Sequence, residues 1–97
     1  MGFEYKLKVK LTTKQTEEIQ DLLIKSIAFE KKYNLEGKEC LDFKKVENNS
    51  EMPDITIIFE EEGIYICQYN SAYLWTDISL LKDYMKGNKI NFEVIDY

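Results

Sequence analysis

The chain is expected to fold as α+β: an antiparallel sheet of four to five strands with two helices on one face, in the order β-α-(β)-β-β-α-β, a variant of the split βαβ (ferredoxin-like) arrangement. Three observations lead there. Apolar residues alternate with charged or polar ones near both ends of the chain. Two stretches carry apolar residues at helical spacing. Between them, two β-branched runs flank a short turn that contains glycine. A length of 97 residues corresponds to a single domain, 1–97, and 44% apolar with 32% charged residues is an ordinary globular balance.

The elements follow in order. Phe3, Tyr5, Leu7, Val9 and Leu11 alternate with Glu4, Lys6, Lys8 and Lys10, which predicts a strand with one buried and one wet face. Thr12 and Gln15 have the spacing of a capping box, and Glu17 and Glu18 lie near the start of the helix that follows. Ile19, Leu22, Leu23, Ile27 and Phe29 carry that helix to about Tyr33. Lys31 and Lys32 then fall in its last turn, and Asn34 and Gly37 mark its end. Leu41, Phe43 and Val46 suggest a short or bulged strand within residues 39–46, and residues 48–53 form a loop.

Residues 54–60 and 64–69 read as a hairpin turning at Glu61-Glu62-Gly63. Both of its strands carry apolar residues on both faces, as central strands do. If the helices cover the Ile64/Ile66 face, Tyr65 and Tyr69 fall on the open one. After a connector with Tyr73, Leu74 and Trp75, the stripe Leu74, Ile78, Leu81 and Met85 predicts the second helix, capped by Thr76 or Ser71 and stopped at Gly87-Asn88. Ile90, Phe92 and Val94 predict a last strand.

Composition narrows the function. The chain has no histidine, and all 13 of its basic residues are lysine, against 18 Asp and Glu, for a net charge of −5. Histidine is the usual acid–base group near neutral pH, and arginine the usual clamp on phosphate and carboxylate. Cys40 and Cys67 have no histidine to activate them and are read as reduced, mostly buried packing residues. There is no zinc spacing, glycine-rich phosphate loop or twelve-residue calcium loop. No catalysis, metal or cofactor is therefore expected. The acidic charge argues against nucleic acid as a partner, and the short apolar runs argue against a membrane. A cytoplasmic location is expected. Lysine without arginine, with abundant Ile, Asn and Tyr, is the output of AT-rich codons and points to a low-GC bacterium or its phage.

The negative charge is concentrated. Residues 1–14 carry +3, 15–33 carry −1, 34–63 carry −6 and 64–97 carry −1. Charge runs are most often a solvated surface. Should the loops around 47–54 and 61–63 meet, they would instead give a field suited to a basic partner. The functional expectation is a non-enzymatic acidic protein-binding domain, most concretely a small inhibitor or immunity-type antidote that neutralises a basic toxin or enzyme. Its expected contacts are Asp54, Glu60, Glu61 and Glu62 as charge, with Tyr65, Tyr69 and Trp75 as aromatic anchors. The alternatives are a self-assembling interaction domain, such as a homodimer through a strand edge, and a small-ligand sensor domain without catalysis.

Overall fold

A computed structural model of the chain describes residues 3–25, 29–44, 51–69 and 76–96, without the side chains of Phe3, Tyr5, residues 76–80 and Asp96. The elements are β1 (Phe3–Lys8), α1 (Thr13–Ile24), β2 (Phe29–Leu35), β3 (Lys38–Phe43), β4 (Ile55–Glu60), β5 (Gly63–Gln68), α2 (Thr76–Gly87) and β6 (Glu93–Asp96). The six strands form one sheet in the order β2-β3-β4-β5-β1-β6, and every neighbouring pair is antiparallel. The fold class is thus α+β as expected, with more sheet than the four to five strands foreseen.

The extra strand comes from residues that the sequence assigned to a helix. α1 stops at Ile24 rather than near Tyr33, so Lys31 and Lys32 lie in β2. Phe29 and Tyr33 are four apart, which imitates a helical face. The cause is a register shift between Phe29 and Lys31 that disturbs the strand's alternation. Asn34 and Gly37 end no helix: they belong to a two-residue hairpin turn whose central residues, Glu36 and Gly37, have φ of 53° and 83°. The Asn34 side chain accepts from the Gly37 N–H at 3.0 Å. The capping box forms as read: the Gln15 N–H donates to Thr12 Oγ1 at 3.1 Å and the Thr12 N–H to Gln15 Oε1 at 3.0 Å. Because α1 starts at Thr13, Glu17 and Glu18 fall in its second turn, and its first turn holds no acid.

One face of the sheet holds the core. Leu7, Leu41, Phe43, Ile55, Ile57, Ile64 and Ile66 are fully buried on it, beneath Ile19 and Leu23 of α1 and Leu81 and Met85 of α2. The helices lie side by side, joined by the Tyr84 hydroxyl donating to Glu18 Oε1 at 2.6 Å. β4 and β5 are central, which explains why they carry apolar residues on both faces. The stripe expected for α2 is described only in part: Leu81 and Met85 are buried as read, whereas Leu74, Ser71, Tyr73 and the Ile78 side chain lie outside the described residues. Among the described residues, no helix is long and apolar enough to cross a membrane.

Candidate functional site

The strand directions bring two hairpin tips together. The β2–β3 turn at Glu36-Gly37 and the β4–β5 turn at Glu61-Glu62 sit at the same end of the sheet, because Glu39 of β3 faces Phe59 of β4. The N-terminal half of α1 closes the third side. A cavity of about 460 Å³ lies between them, floored by Val9, Leu11 and Phe59 and rimmed by Glu17, Glu39, Glu60 and Glu61, with Lys32 beside Glu39. An apolar floor beneath a rim in which carboxylates outnumber the one lysine suits a lysine or arginine side chain, whose stem is apolar and whose head is charged.

Buried polar contacts organise the rim. Gln20, only 4% exposed, donates its amide N–H to Glu39 Oε2 and accepts from Lys32 Nζ at 3.1 Å. Lys32 also lies 3.9 Å from Glu39. Glu60 leans away from the cavity mouth across the other face, where Lys38 approaches one of its oxygens at 3.0 Å and Lys6 the other at 3.4 Å. Burial alone would raise the Glu60 carboxyl. The hydrogen bond and charge of Lys38, with Lys6, overcome that and hold it below its ordinary value. Glu61 and Glu62 are exposed at the tip.

The expected contacts therefore separate. Glu60, Glu61 and Glu62 stand together at the cavity end. Asp54 is at the other end of β4, roughly 20 Å away along a six-residue strand, and is 3% exposed. Its N–H donates to the Phe43 carbonyl and its carbonyl accepts from the Tyr69 N–H, both at 2.8 Å. Asp54 and the 61–63 tip thus do not form one field. Instead, Glu17, Glu36 and Glu39 join Glu60–Glu62. Glu39 could have been found from the alternation of Leu41 and Phe43, which places it on the helix-covered side. Glu17 required knowing where α1 docks.

Tyr65 and Tyr69 lie on the sheet face opposite the helices, as read. The Tyr65 hydroxyl donates to Glu4 Oε2 at 2.6 Å, and Tyr69 is 38% exposed. Trp75 lies outside the described residues. A polar cluster on this face was not foreseen. Asp42, 4% exposed, accepts at one oxygen from Thr56 at 2.8 Å and from the Tyr33 hydroxyl at 3.1 Å, with Lys31 3.9 Å from the other. Burial and the Asp42 charge push the Tyr33 phenol up to about 12 and also raise the Cys40 thiol. Burial raises Cys67 as well, with the Glu4 charge adding to it. Both thiols are therefore held protonated, which suits packing rather than nucleophilic attack. No group of three or more metal-binding side chains occurs among the described residues.

No protein-family model, curated protein or solved structure matches the chain.

Proposed function

We propose that the chain is a non-enzymatic protein-binding domain that receives a basic partner at the acidic end of its sheet, as a small inhibitor or immunity-type antidote would. The observation that carries this reading is the 460 Å³ cavity with an apolar floor and a rim of Glu17, Glu39, Glu60 and Glu61. Glu61 and Glu62 at the tip supply a field that would steer a basic surface to the cavity. A lysine or arginine of the partner would lay its stem on Phe59 and Val9 and its charge among the carboxylates. The raised thiols of Cys40 and Cys67 argue against either acting as a nucleophile. Two free cysteines agree with a cytoplasmic protein. In the same reading β6-β1-β5-β4 with both helices forms a split βαβ unit, extended at its edge by the β2–β3 hairpin. The strand order supports this.

The test begins with capture of partners by tagged protein at low and physiological salt. A basic protein retained at low salt and weakened by added salt supports the reading. The double substitution Glu61→Lys, Glu62→Lys is expected to weaken its binding at least tenfold. Binding unchanged by salt and by both substitutions would sink it.

A further inference from the structure

The sheet face opposite the helices differs in charge from the rest of the molecule. Its strand residues follow from the register: Tyr33, Cys40, Ile58, Tyr65, Lys6 and Ile95 stand in one row across all six strands. Lys38, Glu60, Lys8 and Glu93 flank that row on one side, and Lys31, Asp42, Thr56, Cys67 and Glu4 on the other. The four lysines of this face, Lys6, Lys8, Lys31 and Lys38, balance Glu4, Asp42, Glu60 and Glu93, while the whole chain carries −5. Lys6 and Lys38 already pair with Glu60, and Lys31 with Asp42. No described element packs over this face, and Tyr33, Ile58, Tyr65, Cys67 and Ile95 are all partly exposed on it.

We propose that this face binds a second copy of the chain, sheet against sheet about a two-fold axis. Two molecules of charge −5 repel each other in most approaches. They meet without that repulsion only through a face that carries no net charge. Glu60 is paired with Lys6 and Lys38, and Asp42 with Lys31, within each copy, so covering the middle of the face leaves these charges paired. Four of the six residues of the central row are tyrosine or isoleucine, and tyrosine is enriched in interface cores. Six strands at about 4.8 Å spacing and six residues at about 3.3 Å rise give a face of roughly 24 × 20 Å. Pairing two such faces buries on the order of 1,000 Å², the lower bound for a specific interface. The dimer is therefore placed at the weak end of specific association. It covers Glu60, which both sites share, and leaves Glu17, Glu39 and Glu61 of each cavity exposed, so substitutions at Ile58 and Tyr69 test it apart from the function proposed above.

Sedimentation velocity of the full chain across roughly 5–500 μM at physiological and high salt tests it. The expected result is a monomer shifting to dimer with concentration, undiminished by salt because the face is neutral. Ile58→Lys is expected to leave a folded monomer over the whole range. Tyr69→Lys, at a more exposed position, is expected to weaken the dimer at least tenfold and serves if Ile58→Lys does not fold. Glu62→Lys, at the distant tip, is expected to dimerise as the parent chain does. A parent chain that stays monomeric throughout overturns the proposal, and the face would then await a different protein. A dimer that survives both lysine substitutions in folded protein also overturns it and moves the contact to a strand edge.

Discussion

Thr56 donates its hydroxyl proton to Asp42 at 2.8 Å across the β3–β4 pair, and both residues are 4% exposed. The same carboxylate oxygen accepts from Tyr33 on β2, so one buried charge joins three adjacent strands on the face away from the helices. A buried carboxylate is tolerated only when its partners replace water, and the hydroxyls come to depend on it in turn.

Asp42→Ala is therefore expected to destabilise the fold by roughly 2–3 kcal/mol, because it leaves the buried Thr56 hydroxyl without its acceptor. Adding Thr56→Val should recover about 1 kcal/mol, since it removes the buried hydroxyl that the first change leaves without its acceptor. Urea unfolding of the two single variants and the double variant checks this. Simple additivity of their losses would show that the hydrogen bond contributes nothing.

This cluster also marks the limit of what the sequence made legible. Alternation in β1 and the apolar stretches of β4 and β5 fixed those strands, because a central strand buries enough apolar surface to write its pattern plainly. β2 is an edge strand with the exposure pattern of a wet element and a register shift near its start, so Phe29 and Tyr33 imitated a helix. With residues 29–33 read as helix, the hydroxyl of Tyr33 has no route to Asp42 and the two hairpin tips have no reason to meet. Glu60, Glu61 and Glu62 were visible as a run. Their companions Glu17 and Glu39 depended on long-range packing that no local pattern encodes.

Alkaline titration should find Tyr33 and Tyr84 among the late tyrosines. Burial and the nearby Asp42 carboxylate raise Tyr33 from 10.0 to about 12, and burial with the Glu18 hydrogen bond raises Tyr84 to the same value. A group whose folded pKa is raised contributes stability that is fully present below its unfolded pKa and is lost as pH climbs through its folded one. The fold is thus expected to weaken between about pH 10 and pH 12, and tyrosinate absorbance should show Tyr33 and Tyr84 titrating late, with Tyr69 also raised by burial. Tyr33→Phe and Tyr84→Phe should each remove one late step. Unchanged titration in either variant would contradict the assignment.

Helix α2 ends on a residue that glycine would serve better. The Ile90 N–H donates to the Met85 carbonyl at 2.8 Å and the Lys89 N–H to the Lys86 carbonyl at 3.2 Å, the paired bonds of a Schellman end. The left-handed position is Lys89, with φ of 55°, and not Gly87 or Asn88 as the sequence suggested. Lysine there carries the cost of a Cβ in the left-handed region. Lys89→Gly is expected to stabilise the protein by roughly 0.5–1 kcal/mol after the added freedom of the unfolded chain is subtracted. Thermal unfolding measures it, and a lowered midpoint would refute it.

Gly63 and Gly87 should respond to alanine with opposite signs. At Gly63 the backbone of β5 passes so close to β1 that a Cβ would stand 2.1 Å from the Leu7 carbonyl oxygen, at a φ of 155°. Gly63 faces Lys8 in the β1–β5 register, and the Val9 N–H reaches the Glu62 carbonyl at 3.1 Å beside it. A methyl group can enter only by pushing β1 outward, which loosens the buried Leu7 and Val9. Gly63→Ala is therefore expected to cost roughly 2–4 kcal/mol. At Gly87 a Cβ meets nothing within 4 Å and the backbone is helical, so Gly87→Ala is expected to stabilise by about 0.5–1 kcal/mol. Chemical denaturation of the pair checks the close approach of β1 and β5. Equal and small effects at the two sites would mean that the strands do not run as near to each other as Gly63 permits.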